Sequence, residues 1–175
     1  MSSNATVREC SDGDEALLSL VGQATFLEAF AGMLDGKDLA AHCANQHSDE
    51  IYRKWLRDDR VKIWLAEAGT GKAPVGYLVL TPPEIPVPDP RNDDIEVKRV
   101  YLLVPFQGSG LGKKLMEIAE ESAKNRGYAR LLLGVYSGNS RAIGFYRRLG
   151  FTQVGTRSFQ VGYHHYQDLV LAKKI

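Results

Sequence analysis

The stretch Val100–Lys114, VYLLVPFQGSGLGKK, decides how this chain is read. Its opening apolar run has the character of a strand. Gln107-Gly108-Ser109-Gly110-Leu111-Gly112 is a glycine turn, and a helical pattern begins with Lys113 and Lys114. Strand, glycine turn and helix together present unpaired backbone N–H groups to an anion. The helix dipole adds partial positive charge at the same place, and the lysines add full charge. The stretch therefore reads as a pyrophosphate cradle. A P-loop requires G-x-x-x-x-G-K-[ST]; here Gly108 and Gly112 stand one residue too close, and Lys114 occupies the place of the hydroxyl. The dinucleotide fingerprint G-x-G-x-x-G fails too, because its third glycine arrives one residue early. The pattern that fits is [RQ]-x-x-G-x-[GA], as Gln107-x-x-Gly110-x-Gly112.

A second segment, Asn139–Phe151, NSRAIGFYRRLGF, has a coherent local physics of its own. Asn139 is a good N-cap. Ala142, Ile143, Tyr146 and Leu149 recur at helical spacing. Gly150 suits the left-handed position just past a helix, with Phe151 folding back on it. The segment resembles N-x-x-A-x-x-F-Y-x-x-x-G-F, matched at Asn139, Ala142, Phe145, Tyr146, Gly150 and Phe151. Both motifs, in this order, resemble the GNAT superfamily of N-acetyltransferases, whose acyl-CoA motif is the [RQ]-x-x-G-x-[GA] turn.

The resemblance runs through most of the chain. Thr25-Phe26-x-Glu28-x-Phe30, Ile95-Glu96-x-x-Arg99-Val100-Tyr101, Phe106-Gln107-x-x-Gly110-Leu111-Gly112-Lys113, Gly134-Val135-Tyr136 and Ser158-Phe159-x-x-Gly162 look like the PaiA type, bacterial spermidine/spermine N-acetyltransferases. It implies an acetyl-CoA co-substrate and no metal. Backbone groups of Val100, Tyr101 and Leu102 would pair with the pantetheine arm. Gln107, Gly108, Ser109, Gly110, Leu111, Gly112 and Lys113 would hold the pyrophosphate. Asn139 would contact pantetheine, and Tyr146 would protonate the leaving thiolate, since a phenol's ordinary pKa of about 10 exceeds a thiol's. Glu96 is the candidate general base, direct or through water, and Glu28 the candidate handle for a cationic acceptor. Two features depart from the pattern. Gln107 stands where Arg is commoner, and Val104-Pro105 shifts the usual proline by one residue.

Composition sets the frame. At 175 residues, 44% hydrophobic and 25% charged, the chain reads as one globular domain over 1–175. The first residues, MSSNATVRECSDGDE, lack the basic and apolar regions of a signal peptide, and no apolar run reaches membrane length. Cys10 and Cys43 form no disulfide framework. His42, His47, His164 and His165 make no zinc pattern with them. A reducing cytoplasm is the expected setting. The net charge of +1 hides a split: residues 1–96 carry 9 Lys+Arg against 17 Asp+Glu, and 97–175 carry 13 against 4. A basic half suits CoA and an acidic half a cationic amine, ordinary surface charge being the plain alternative. Nucleic acid is a poor fit, because the basic residues lack interleaved aromatics.

Along the chain the patterns predict a strand at Ala5–Cys10 and a helix over Asp12–Leu34 with Leu17, Leu20, Val21, Ala24, Leu27 and Phe30 on one face. Helices follow at Asp38–Gln46 and Asp49–Leu56, then a hairpin of Val61–Ala68 and Val75–Leu80 turning at Gly69–Lys72. Thr81–Asp94 holds five of the seven prolines and must be a loop, long enough to cover a site. Next come a strand at Ile95–Leu103, a helix over Leu111–Arg126 with Leu111, Leu115, Ile118, Ala119 and Ala123 inward, and a buried strand at Arg130–Tyr136. The Asn139 helix and strands at Thr152–Gln160 and Tyr166–Ala172 complete the chain. The fold class is α/β: a mixed, mostly antiparallel sheet of about six to seven strands flanked by helices, with acyl-CoA at the splay of the two central parallel strands, as the resemblance implies.

The leading function is acetyl transfer to a small cationic amine, a polyamine first, by direct attack in a ternary complex. Neither cysteine stands in a motif position for an acyl-enzyme. A protein N-terminus, a lysine or an antibiotic amine are acceptors of the same class. A non-catalytic acyl-CoA sensor is the alternative from another class; it would be indifferent to Tyr146→Phe. The resemblance also points to a homodimer.

Overall fold

The computed structural model describes residues 5–175. Its elements are β1 (Ala5–Glu9), α1 (Glu15–Phe30), α2 (Gly36–Gln46), α3 (Asp49–Leu56), β2 (Lys62–Ala68), β3 (Ala73–Thr81), β4 (Asp94–Leu102), α4 (Leu111–Asn125), β5 (Arg130–Tyr136), α5 (Ser140–Arg148), β6 (Thr152–Val161) and β7 (His164–Lys174). The strands hydrogen-bond in the order β1-β2-β3-β4-β5-β7-β6. β4 and β5 run parallel, while β1–β2, β5–β7 and β6–β7 are antiparallel. This is the expected α/β architecture, a mostly antiparallel seven-stranded sheet with flanking helices. Among the described residues no helix is long and apolar enough to cross a membrane.

The chain divides into two compact units, one formed by the residues up to Val79 with Arg99–Glu117, the other by Leu80–Lys98 with Ile118–Ile175. In the first, Leu18 and Val21 of α1 pack with Tyr52 of α3, Ile63 and Leu65 of β2, and Tyr77 and Val79 of β3. α3 starts cleanly because the Ser48 hydroxyl accepts from the Ile51 N–H at 3.3 Å. Asp49 and Glu50 sit in its first turn and Arg53 and Lys54 in its last, as the helix dipole favours.

α1 departs from expectation in length and in face. Gly13 at φ +100° and Gly32 at φ +87° take left-handed turns on either side, which confines the helix to Glu15–Phe30. Its buried residues are Leu18, Ser19, Val21, Gly22, Thr25 and Phe26, whereas Leu20 and Leu27 are 61% and 52% exposed. The helix is apolar nearly all round, so its pattern carries no directional preference. Tertiary packing chooses the face: a Cβ at Gly22 would lie 2.5 Å from both His47 Nδ1 and Tyr52 Oη.

In the second unit β5, RLLLGVY, is buried nearly throughout, as a central strand should be. Ile85 from the proline-rich loop joins Leu132, Val170 and Ala172 in its core. The loop is tied down at both ends. The N–H groups of Glu84 and Ile85 donate to Glu96 Oε2 at 2.7 and 3.0 Å. Arg130 donates to Asp94 at 2.6 and 2.8 Å and to the Asp89 carboxylate at 3.0 Å. α4 buries Leu111, Leu115, Met116, Ala119 and Ala123, with Ile118 only partly covered. Met116 takes a place in the core that the sequence pattern did not give it.

Candidate active site

The glycine turn is built from the end of β4. Leu103 N–H still bonds to Val75 O at 2.9 Å, and Val104–Phe106 then closes a single 3-10 turn. This is how the shifted Pro105 is absorbed: its fixed φ suits a first-turn position, where an N–H is not needed. Gln107 folds back, donating to Leu102 O at 3.1 Å. Gly108 and Gly110 then adopt φ +83° and +89°, conformations that only glycine takes without strain. The Ser109 hydroxyl donates to Phe106 O at 2.6 Å. The first helical bond of α4 runs from Lys114 N–H to Gly110 O at 3.0 Å. The N–H groups of Gly110, Leu111, Gly112 and Lys113 therefore have no partner within the helix. Leu111 N–H reaches Ser109 Oγ at 3.5 Å. With Lys113 and Lys114 exposed beside them, the turn has the donors and the charge that a pyrophosphate requires.

Glu28, the candidate handle for a cation, is exposed on α1 and accepts from Val104 N–H at 3.0 Å. Its carboxylate ties α1 to the turn after β4. Glu96 is 1% exposed. One of its oxygens holds the proline-rich loop through the two amides described above, and the other lies 3.9 Å from Lys98 Nζ. This environment makes Glu96 an anchor for the loop and keeps it from direct contact with an amine in bulk solvent. β4 pairs with β5 only at Asp94–Glu96 against Arg130–Leu132, and both strands run on, β4 through Val100, Tyr101 and Leu102.

Asn139 and Tyr146 are placed by the two ends of α5. Asn139 Oδ1 accepts from Ala142 N–H at 3.0 Å, which makes it the N-cap. At the far end Gly150, at φ +92°, donates to Arg147 O at 3.0 Å, and Phe151 N–H donates to Tyr146 O at 3.1 Å. That pair of bonds is a Schellman closure. Phe151 completes it by packing edge-on against the Tyr146 ring, with centroids 5.9 Å apart. Tyr146 is thereby fixed by its own helix terminus, at 8% exposure. Seven residues separate it from Asn139, which places both on one side of α5, about 10 Å apart along the axis.

One cluster was missed by the sequence reading. Half-buried Arg99 of β4 donates from Nη1 to Tyr52 Oη at 2.9 Å and lies 3.3 Å from His47 Nδ1. Tyr52 Oη is in turn 3.0 Å from His47 Nδ1. The guanidinium carbon lies 4.7 Å from the centre of the Trp55 ring and 5.6 Å from that of Tyr52. Burial, together with the positive charge of Arg99, pushes His47 down to about 3 and His42 to about 4. A cationic donor on Nδ1 fixes that nitrogen of His47 as an acceptor, so the ring is neutral. Among the described residues no carboxylate pairs with Arg99. Arg99 entered the sequence reading only as part of a matched segment, and His47 only as one of four histidines without a zinc pattern. His47 and Tyr52 carry no local signal, because residues far apart in the chain meet here through the packing of α1 and α3.

The comparisons with known proteins agree with this geometry. Residues 30–151 match the acetyltransferase (GNAT) family. An uncharacterised N-acetyltransferase of Mycobacterium tuberculosis is 32% identical over 167 residues, covering 94% of this chain and 99% of the relative. Among solved structures, the PaiA N-acetyltransferase of Thermoplasma acidophilum, in complex with coenzyme A, superposes with a TM-score of 0.78 at 20% identity, covering 98% of this chain and 99% of that one. The ribosomal-protein-S18-alanine N-acetyltransferase of Escherichia coli reaches 0.66 at 18% identity, covering 98% and 94%. The chain belongs to the GNAT acetyltransferase family. It is an acyltransferase whose acyl donor is acetyl-CoA.

Proposed function

We propose that the chain moves the acetyl group of acetyl-CoA to a small primary amine by direct attack within a ternary complex. The observation that carries this reading is the glycine turn, whose two left-handed glycines lead into α4 and leave its first amides without partners inside the helix. In this reading Gln107 shapes the turn, and the amides from Gly108 to Lys113 hold the pyrophosphate. The backbone of Val100, Tyr101 and Leu102 aligns the pantetheine arm, and Asn139 contacts it. The amine attacks the thioester carbonyl, the C–S bond breaks, and Tyr146 gives its proton to the departing thiolate. The ammonium proton of the acceptor leaves through water to Glu96, a route that its 1% exposure supports over direct transfer. A covalent relay through cysteine is disfavoured, since burial pushes the Cys10 thiol up to about 12 and raises that of Cys43. We place the enzyme in a reducing cytoplasm, as one domain over residues 1–175.

The acidic half of the chain and exposed Glu28 suit a cationic amine, so polyamines belong among the acceptors compared. Release of free thiol from acetyl-CoA, measured over spermidine, spermine, putrescine, amino acids, lysine peptides and N-terminal peptides, tests the reading. Acceptor-dependent turnover with kcat reduced about 100-fold or more in Tyr146→Phe is expected. Tight acetyl-CoA binding with no turnover on any amine would favour an acyl-CoA sensor instead.

A further inference from the structure

We infer that Arg99, held by Tyr52, His47 and Trp55, is an anion-recognition site for the acceptor, and that the acceptor is a primary amine carrying a carboxylate, an amino acid or a molecule of that kind. The inference rests on the acetyltransferase reading and names the substrate class for it.

Charge balance provides the first argument. Removing a guanidinium from water costs several kcal/mol unless a counter-charge compensates. Arg99 is half-buried, and its surroundings orient it without neutralising it. Tyr52 and His47 accept from Nη1, and Trp55 offers a ring face. Nε and Nη2, the edge that forms a two-pronged bond with a carboxylate, have no acceptor among the described residues. Three other arginines with little or partial exposure are neutralised: Arg8 by Asp14 and Glu67, Arg130 by Asp89 and Asp94, Arg157 by Asp168.

Rigidity provides the second. His47 is 2% exposed and Tyr52 is fully buried, and both press against Gly22 of α1, where no side chain would fit. Trp55 meets the Tyr52 ring edge-on at 5.7 Å. The guanidinium is thus positioned before any ligand arrives, which lowers the cost of recognition.

The charge of the site selects the anion. His42 and His47 are neutral at physiological pH, so the cluster carries a single positive charge. That balances a carboxylate and leaves a phosphate dianion half compensated. Position links the site to the reaction. Arg99 immediately precedes Val100–Leu102, the backbone assigned above to the pantetheine arm, and the strand advances only about 3.3 Å per residue. A molecule anchored at Arg99 by its carboxylate can present its amine farther along β4.

The test uses the full-length enzyme with acetyl-CoA and matched acceptors: alanine, 4-aminobutanoate and 6-aminohexanoate, each against its carboxamide, with spermidine as the polyamine. Acids are expected to show a KM on the order of 100-fold below that of their amides, the worth of a charged hydrogen-bonded pair. Arg99→Gln should erase this discrimination with the acetyl-CoA KM unchanged, and Arg99→Lys should restore part of it. In parallel, Trp55 fluorescence should respond saturably to the acids in wild type and not in Arg99→Gln. Turnover that treats acids and amides alike, or prefers spermidine, overturns the inference and leaves the acetyltransferase reading standing. Absence of all turnover strikes that reading, and the fluorescence titration then decides the inference alone: a saturable, Arg99-dependent response to the acids supports it, and no response overturns it.

Discussion

Arg130 and Arg99 begin and end the same story in opposite ways. Arg130, at the start of β5, is 5% exposed and grips Asp94 and Asp89 with five hydrogen bonds in all, one of them to the Asp89 carbonyl. Arg99, on β4, is half-buried and meets a phenol, a neutral imidazole and two ring faces. Both are oriented; only the first is neutralised. A cation that is satisfied within its own chain has a structural task, here strapping the proline-rich loop to β4 and β5. A cation that is oriented but uncompensated is prepared for something outside the chain.

The comparison can be broken in several ways. The largest expected effect is that of Arg130→Gln. Removing one partner of a buried pair leaves Asp94 uncompensated and should cost about 3 kcal/mol in urea unfolding. A loss below about 1 kcal/mol would mean that the strap is not held by charge. Glu96→Ala, which takes away the acceptor of the Glu84 and Ile85 amides, should cost about 2 kcal/mol. Glu96→Gln keeps an oxygen for both amides, so its stability loss should be small while kcat falls. Equal losses of stability in the two variants would argue against the anchoring role.

Acidification should separate the two regions. His47 is held at about 3 in the fold against 6.5 when free. The unfolded chain therefore binds a proton that the folded one refuses. Stability contributed there is fully present above pH 6.5 and declines as pH falls toward 3, with a slope of up to about 1.4 kcal/mol per pH unit. For Asp94, burial pushes upward, but the Arg130 hydrogen bonds and the Arg91 amide prevail and hold it below the usual 3.8. Its contribution persists above that value and is lost only at lower pH. Unfolding midpoints between pH 7 and 5 should thus fall in wild type and fall less steeply in His47→Gln, where His42, held at about 4, still contributes, while Asp94→Asn should keep the wild-type slope there.

Much of this was legible in the sequence where the cause is local. The Asn139 cap, the Gly150 closure and the glycine turn are set by residues a few positions apart, and each forms as its chemistry dictates. The strand runs of β4 and β5 were equally plain. What the sequence hid depends on distant partners. The face of α1 could not be read from a helix apolar on all sides, so Leu20 and Leu27 went to the surface while Gly22 went inward. The proline-rich loop offered no pattern that would reveal its attachment to Glu96 and Arg130. The environment of Arg99 exists only after residues 47, 52 and 55 have been brought to β4.

The most direct measurement sets the two arginines side by side. Arg99→Gln and Arg130→Gln are each assayed for urea-unfolding midpoint and for KM toward a carboxylate-bearing amine. The account predicts that Arg130→Gln lowers the midpoint with KM little changed. Arg99→Gln should leave stability within about 1 kcal/mol, since an unneutralised charge is removed, and raise KM on the order of 100-fold. An Arg99→Gln enzyme that is as destabilised as Arg130→Gln, with its KM unaltered, would contradict it.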